Sequence, residues 1–316
     1  MDFAAAIMIT VITATTPLLI AALGELVVEK SGVLNLGIEG MMATGAACGF
    51  AAAILSGSTF VGVAAAIMAG MALSAVFAFL VLGLAANQVA SGLALTIGGI
   101  GLSGLIGAGF VGTTRQPVPR FEFPDLSAVD LLKDVPYIVE IAGVLQFVFG
   151  QDPFVYVSLV LAGGIFWFLG RSRAGLLLKA IGENQVSAHS LGLKVVWTRF
   201  LAILFGGACA GLAGAYLSLV YTPFWSPGMT AGRGWIALAL VVFASWRPFR
   251  LLFGAYFFGA ATVLQLHAQA ASLGIPAQLL SAFPYIATII ALVIMSVGRT
   301  SIGAPASLGT PFVPDR

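Results

Sequence analysis

The sequence predicts an all-α, polytopic integral membrane protein, and three observations carry that prediction. Hydrophobic residues make up 60% of the 316 and charged residues only 8%, more apolar surface than a water-soluble chain of this length can hide. The apolar residues fall into runs rich in Gly, Ala, Leu, Val and Ile, near the ~20 residues that carry a helix across a ~30 Å hydrocarbon core. No ~10-residue alternation of the kind that marks a transmembrane strand recurs.

About nine segments qualify as spans: 3–23, 38–57, 60–85, 89–112, 153–170, 198–220, 234–246, 251–269 and 284–298. The first is not a cleavable leader, because Asp2 stands where a leader carries Lys or Arg and the apolar run is too long. The seventh is short, so a half-helix or re-entrant segment is expected there. Residues 113–152 form the longest loop and carry Pro117, Pro119, Pro124 and Pro136. Within it "YIVEIAGVLQFVFG" is apolar but interrupted by Glu140, which reads as an interfacial or loop-packing helix. Small residues at four-residue spacing, Gly45 with Gly49 and Gly207 with Gly211, suit close helix packing in lipid. Neither a repeat nor a low-complexity linker divides residues 1–316, which read as a single transmembrane domain.

Charge sets the expected orientation. One set of loops holds Lys30, Arg171, Arg173, Lys179, Lys194, Arg199, Arg247, Arg250, Arg299 and Arg316; the other holds Arg115, Arg120 and Lys133, with Arg233 at a span edge. The richer set is expected in the cytoplasm. That places the N-terminus outside, the C-terminus inside and residues 113–152 outside, in a multi-pass membrane protein. The net charge of +2 is too small to imply a nucleic-acid partner; the expected surroundings are membrane lipid.

Catalytic chemistry has no motif here. The two histidines, His189 and His267, lie far apart, and the two cysteines, Cys48 and Cys209, sit inside apolar runs as free thiols. No metal site is expected. None of the four lysines stands in a Gly-Lys-Ser/Thr context, so the chain lacks a phosphate-binding loop and would not hydrolyse ATP by itself.

Two polar stretches stand out. The first, "GELVVEKSGVLNLGIEG" (24–40), places Glu25, Glu29, Lys30, Asn35 and Glu39 between two spans, with Gly24, Gly32, Gly37 and Gly40 to break the helix. Ionisable groups beside the hydrocarbon face protein, a cavity or the interface. Either residues 24–37 are a plain turn, or they fold back toward the midplane and Asn35 and Glu39 line a passage. In a helix those two would share a face. Glu39 could equally brace a neighbouring helix, while Glu25 and Glu29 suit structural or interfacial roles. Asn87 and Gln88 are a turn or part of a gate, and Arg233 is an anchor or a substrate contact. The second stretch, 170–200, has basic ends and between them a short helix candidate, Glu183 to Leu191, with Gly182 before it and Gly192 as its stop. Its small residues suit docking into a groove on a soluble partner, as against a solvated connection.

The residues of that loop, "RAGLLLKAIGENQVSAHSLGL", resemble the coupling loop of permease subunits from ABC importers of the branched-chain amino acid, simple-sugar and nucleoside group. "GELVVEKSGVLNLGIEGMMATGA", "ANQVASGLALTIGGIGLSGLIG" and "PGMTAGRGWIALALVVFASWRPFRLLFGAYFFG" resemble further family segments in the expected order. Leu-Asn-Leu-Gly at 34–37, with Gly-Met-Thr-Ala-Gly-Arg-Gly at 228–234, looks like the nucleoside-type branch. The resemblance implies a permease that moves nucleosides by alternating access. It would pair with a second, non-identical permease and receive solute from an external substrate-binding protein. A cytoplasmic ATP-binding subunit would dock on about residues 171–197, so ATP is bound by a partner and this chain carries no cofactor. Glu183, Asn184, Gln185, Ala188 and Gly192 become the coupling candidates, and Asn35, Glu39, Asn87 and Arg233 the pathway candidates. Two alternatives stay open: a simple-sugar importer, and a stand-alone ion-coupled transporter with Glu25, Glu39 and His267 as proton carriers.

Overall fold

A computed structural model describes residues 3–121, 148–271 and 303–313, with isolated positions between 276 and 293. Among these residues the chain is helical, with one isolated bridge between Thr114 and Phe224 as its only strand-like pairing. The elements are α1 (Phe3–Lys30), α2 (Ile38–Ser56), α3 (Thr59–Ala78), α4 (Gln88–Gly107), α5 (Pro153–Arg171), α6 (Arg173–Glu183), α7 (Gln185–Ser190), α8 (Val195–Tyr216), α9 (Arg233–Phe243) and α10 (Pro248–Ala270). Single π-helical turns, Phe79–Gly83 and Leu217–Tyr221, extend α3 and α8. Among the described residues, seven helices are long and apolar enough to cross a membrane, and α9 is a shorter apolar helix. The expected ninth segment, 284–298, lies largely outside the described residues, as does most of the 137–150 helix candidate.

Local chemistry explains the boundaries. The Asn87 side chain accepts from Ala90 N and starts α4; Asp152 accepts from Phe154 N and Val155 N ahead of Pro153 and starts α5. Gly57 at φ 69° ends α2. The first span corrects its expected end at residue 23, because α1 runs unbroken to Lys30. Gly24 does not break it: a Cβ there would lie 2.5 Å from Cys209 Cβ, so this glycine serves contact with α8. Gly40 likewise lies inside α2, pressed on α4, where a Cβ would come 2.4 Å from Leu95 O.

Lys30, Gln88, Gly182, Arg199 and residues 303–313 meet at one end of the bundle, the basic end. Arg115 bonds Gly57 O at the opposite end. α1 is the central post, packed against α5, α8, α9 and α10, while α2 is held by α3, α4 and α8. The α2–α3–α8 contact is made backbone to backbone: a Cβ on Gly211 would stand 2.2 Å from Ala66 O, and one on Gly45 2.7 Å from Gly211 Cα. Cys48 and Cys209 are free thiols, as expected.

Candidate functional site

The turn after α1 is the first component. Ser31 N bonds Val28 O at 3.0 Å and Gly32 N bonds Glu29 O at 2.8 Å, with Gly32 at φ +88°. Residues 33–37 then climb back along α1 and α4. Leu34 N donates to Gln88 Oε1 at 2.8 Å, and Thr96 Oγ1 donates to Leu36 O at 2.7 Å. The segment therefore folds back from the end of α1 into the bundle. Asn35 is not helical, so it shares no helix face with Glu39. Its backbone N and Nδ2 donate to Glu25 at 3.3 and 3.4 Å, and its Oδ1 accepts from Gly37 N at 3.0 Å. Fully enclosed and internally bonded, Asn35 clasps the turn to Glu25. Glu25 and Glu29 are both buried, Glu29 accepting from Trp246 Nε1, in agreement with structural roles.

Glu39 opens α2 and is 3% exposed. Its Oε1 accepts from Thr230 Oγ1 at 2.6 Å and Gly232 N at 2.9 Å; its Oε2 accepts from Gly234 N at 2.6 Å. These amides form the N-terminal turn of α9, the end of a helix that favours negative charge. At 11 residues, α9 is ~16 Å long, about half a hydrocarbon core. Its far end leads into Trp246, bonded to Glu29 in the last turn of α1, so α9 starts near mid-depth. The expected half-helix is thus present, with Arg233 as its first residue. There Arg233 Nη1 donates to Met229 O at 3.0 Å and Thr230 O at 3.4 Å, with its guanidinium 5.4 Å from the Tyr221 ring centroid.

Beside Glu39 lies a cavity of about 270 Å³, walled by α4 at Ile100 and Ser103, by Trp225 and by residues 227–232. Trp225 is buried against Gly107, and its Nε1 has no partner among the described residues. The sequence pattern marks neither Ser103 nor Trp225 directly; "YTPFWSPG" was the available signal, an aromatic in a Pro-flanked break between apolar runs. Asn87 lies away from this cavity, as the cap of α4.

Toward the opposite end, a cavity of about 660 Å³ is lined by Thr13, Arg120, Asp152, Tyr216 and Tyr221. Asp152 Oδ2 accepts from Tyr216 OH at 3.1 Å, tying α5 to α8. Burial pushes the Asp152 carboxyl above its usual range, and the bonds from Tyr216, Val155 and Phe154 pull it back.

The second component is the loop at the basic end. A helix is present where one was expected, with different bounds. Gly182 and Glu183 close α6, and Asn184 caps α7 by accepting from Ser187 N at 2.9 Å. Gly192 at φ +78° ends it, as expected. Ala188 points inward and packs with Ile181, Val195 and Phe312, so a large residue there would strike this chain's own core before any partner's groove. The large apolar residues that α7 and its end turn outward are Val186, 60% exposed, and Leu191, 81% exposed. Glu183, Asn184 and Gln185 sit at the rim between α6 and α7.

Residues 7–296 match a family model described as branched-chain amino acid transport system / permease component. TsgC13 of Haloferax volcanii, provisionally named a glucose ABC transporter permease protein, is 40% identical over 310 residues, covering 92% of each chain. The guanosine ABC transporter permease protein NupQ of Bacillus subtilis is 30% identical, over 94% of this chain and 93% of its own. The nucleoside ABC transporter permease protein NupC of Lactococcus lactis subsp. cremoris is 26% identical, over 95% and 94%.

Proposed function

The chain belongs to the branched-chain amino acid transport system permease family of ABC transporters, and from that premise we propose that it is the permease of a nucleoside importer. It is a multi-pass membrane protein; the inner membrane, an external N-terminus and a cytoplasmic basic end complete the proposal. The family implies an ATPase and a substrate-binding protein as partners. A second, non-identical permease is part of the proposed assembly.

The observation that carries the reading is the half-helix α9 beginning at Glu39 beside a 270 Å³ cavity. Broken helices whose ends meet a cavity are how transporters present polar backbone to solute at mid-depth. Here the carboxylate already fills the anion position at the α9 N-terminus, which favours an uncharged solute over a phosphorylated one. An indole face and two hydroxyl-bearing side chains, Trp225 with Ser103 and Thr230, suit a base and a ribose. Alternating access would open this cavity to each side in turn as the ATPases close and reopen. Val186 and Leu191 on the α7 loop are the surface offered to the ATPase, with Asn184 and Gly192 shaping its ends.

Glucose is the second reading, favoured by the 40% identity to TsgC13. Competition separates the two. In cells expressing the assembly, uptake of labelled guanosine should be blocked by excess unlabelled adenosine or uridine and untouched by equal glucose. Labelled glucose uptake that nucleosides fail to inhibit would establish the second reading and overturn the first.

A further inference from the structure

Residues 303–313 form an irregular strap across the basic end. At its start Gly303 O accepts from Lys30 Nζ at 2.8 Å. In its middle Ser307 N donates to Gly182 O at 2.9 Å, and Ser307 Oγ accepts from Gln185 N at 3.4 Å. Gly309 N donates to Gly32 O at 3.2 Å. Thr310 is bound on two sides: its Oγ1 accepts from Gln185 Nε2 at 3.2 Å, and its carbonyl accepts from Gln88 Nε2 at 3.3 Å. Gln185 Nε2 also donates to Pro311 O at 3.1 Å. Phe312 closes the strap, packed on Ala188 and 5.4 Å from the His189 ring.

Two features turn this from a tether into a path. Among the described residues, every hydrogen bond from α7 to a distant part of the chain ends on 307–311. And the Gln88 side chain that holds Thr310 with its Nε2 holds Leu34 N with its Oε1. Leu34 lies in the folded-back turn, one residue from the Asn35–Glu25 clasp and five from Glu39. A continuous chain of short contacts therefore runs from α7 through Thr310 and Gln88 to the turn that leads into α2 and the α9 anchor. Rigid groups that are bonded at both ends move together or break a bond, which is the physical basis for coupling between two sites.

We propose that residues 303–313 are the transmission element of this permease, passing displacement of α7 to the 31–37 turn through Thr310 and Gln88, which act as positioning residues. The proposal rests on the reading that α7 and Leu191 dock on the ATPase.

The test uses the full assembly of this chain, its companion permease, the ATPase and the binding protein. The chain carries Thr310→Val together with Gln88→Leu, with Thr310→Ser as the conservative comparison. Membrane abundance, ATPase co-purification, ATP hydrolysis and uptake of whichever of guanosine or glucose the unmodified assembly transports are measured together. The expected result is uptake per ATP hydrolysed reduced by about fivefold or more, the low end of usual coupling between linked sites. Abundance, co-purification and hydrolysis should stay within about twofold, and Thr310→Ser should behave as the unmodified chain. Unchanged uptake per ATP would overturn the proposal. So would a parallel fall in co-purification, hydrolysis and uptake, which marks a strap that only holds α7 in shape. A separate Leu191→Asp variant tests the underlying reading: if it leaves co-purification intact, α7 is not the dock, and the failure lies there.

Discussion

Replacing Glu39 with alanine is expected to reduce uptake at least tenfold while the chain still inserts in the membrane. The carboxylate accepts from Gly232 N, from Gly234 N and from the Thr230 hydroxyl. Alanine takes the acceptor away from these donors in a buried setting, at about 1–3 kcal/mol for each group left unsatisfied. It also removes a negative charge from a helix N-terminus, worth about 0.3–2 kcal/mol. The N-terminal turn of α9 should then lose its fixed position and the cavity beside it its shape. Glu39→Gln keeps one acceptor oxygen and should retain an intermediate rate. Initial uptake rates normalised to membrane abundance are the readout. Alanine at wild-type rates would show that α9 is positioned without this anchor.

The second large effect concerns assembly of the bundle. Gly211→Val should lower the membrane abundance of the chain about tenfold or more. A Cβ at 211 would stand 2.2 Å from Ala66 O, and the opposing contact is backbone as well, at Gly45. Overpacking commonly costs about 1–3 kcal/mol, and here neither neighbour is a side chain that can rotate away. Gly101→Ala is the control, since a Cβ there meets nothing within 4 Å. Immunoblots of washed membranes measure both. Equal abundance of the two variants would refute the close α2–α3–α8 packing.

The helices were legible because composition and run length report the solvent, and lipid leaves few options. The shortness of 234–246 already marked α9 as incomplete. What the sequence withheld is which partner each polar group meets. Asn35 and Glu39 are both amide- or carboxylate-bearing residues of one glycine-rich stretch, yet one is consumed by Glu25 and the other by α9. Those partners lie 10 and 195 residues away in the chain, and no local pattern encodes the second. Ala188 failed for a related reason: a small residue on a short helix suits either a docking groove or a tight core, and Phe312, 124 positions on in the numbering, decides for the core. The αL glycine at 192 was readable because its requirement is local.

The most direct measurement is vectorial. The complete assembly is reconstituted in liposomes, with its orientation fixed by protease access to the ATP-binding subunit, and labelled solute uptake is followed with ATP on one side at a time. The account predicts transport only when ATP is on the side of Lys179 and Arg247, insensitive to proton ionophores and absent when the ATPase is catalytically inactive. Transport by this chain alone under a proton gradient, or with ATP acting only from the Arg120 side, would contradict it.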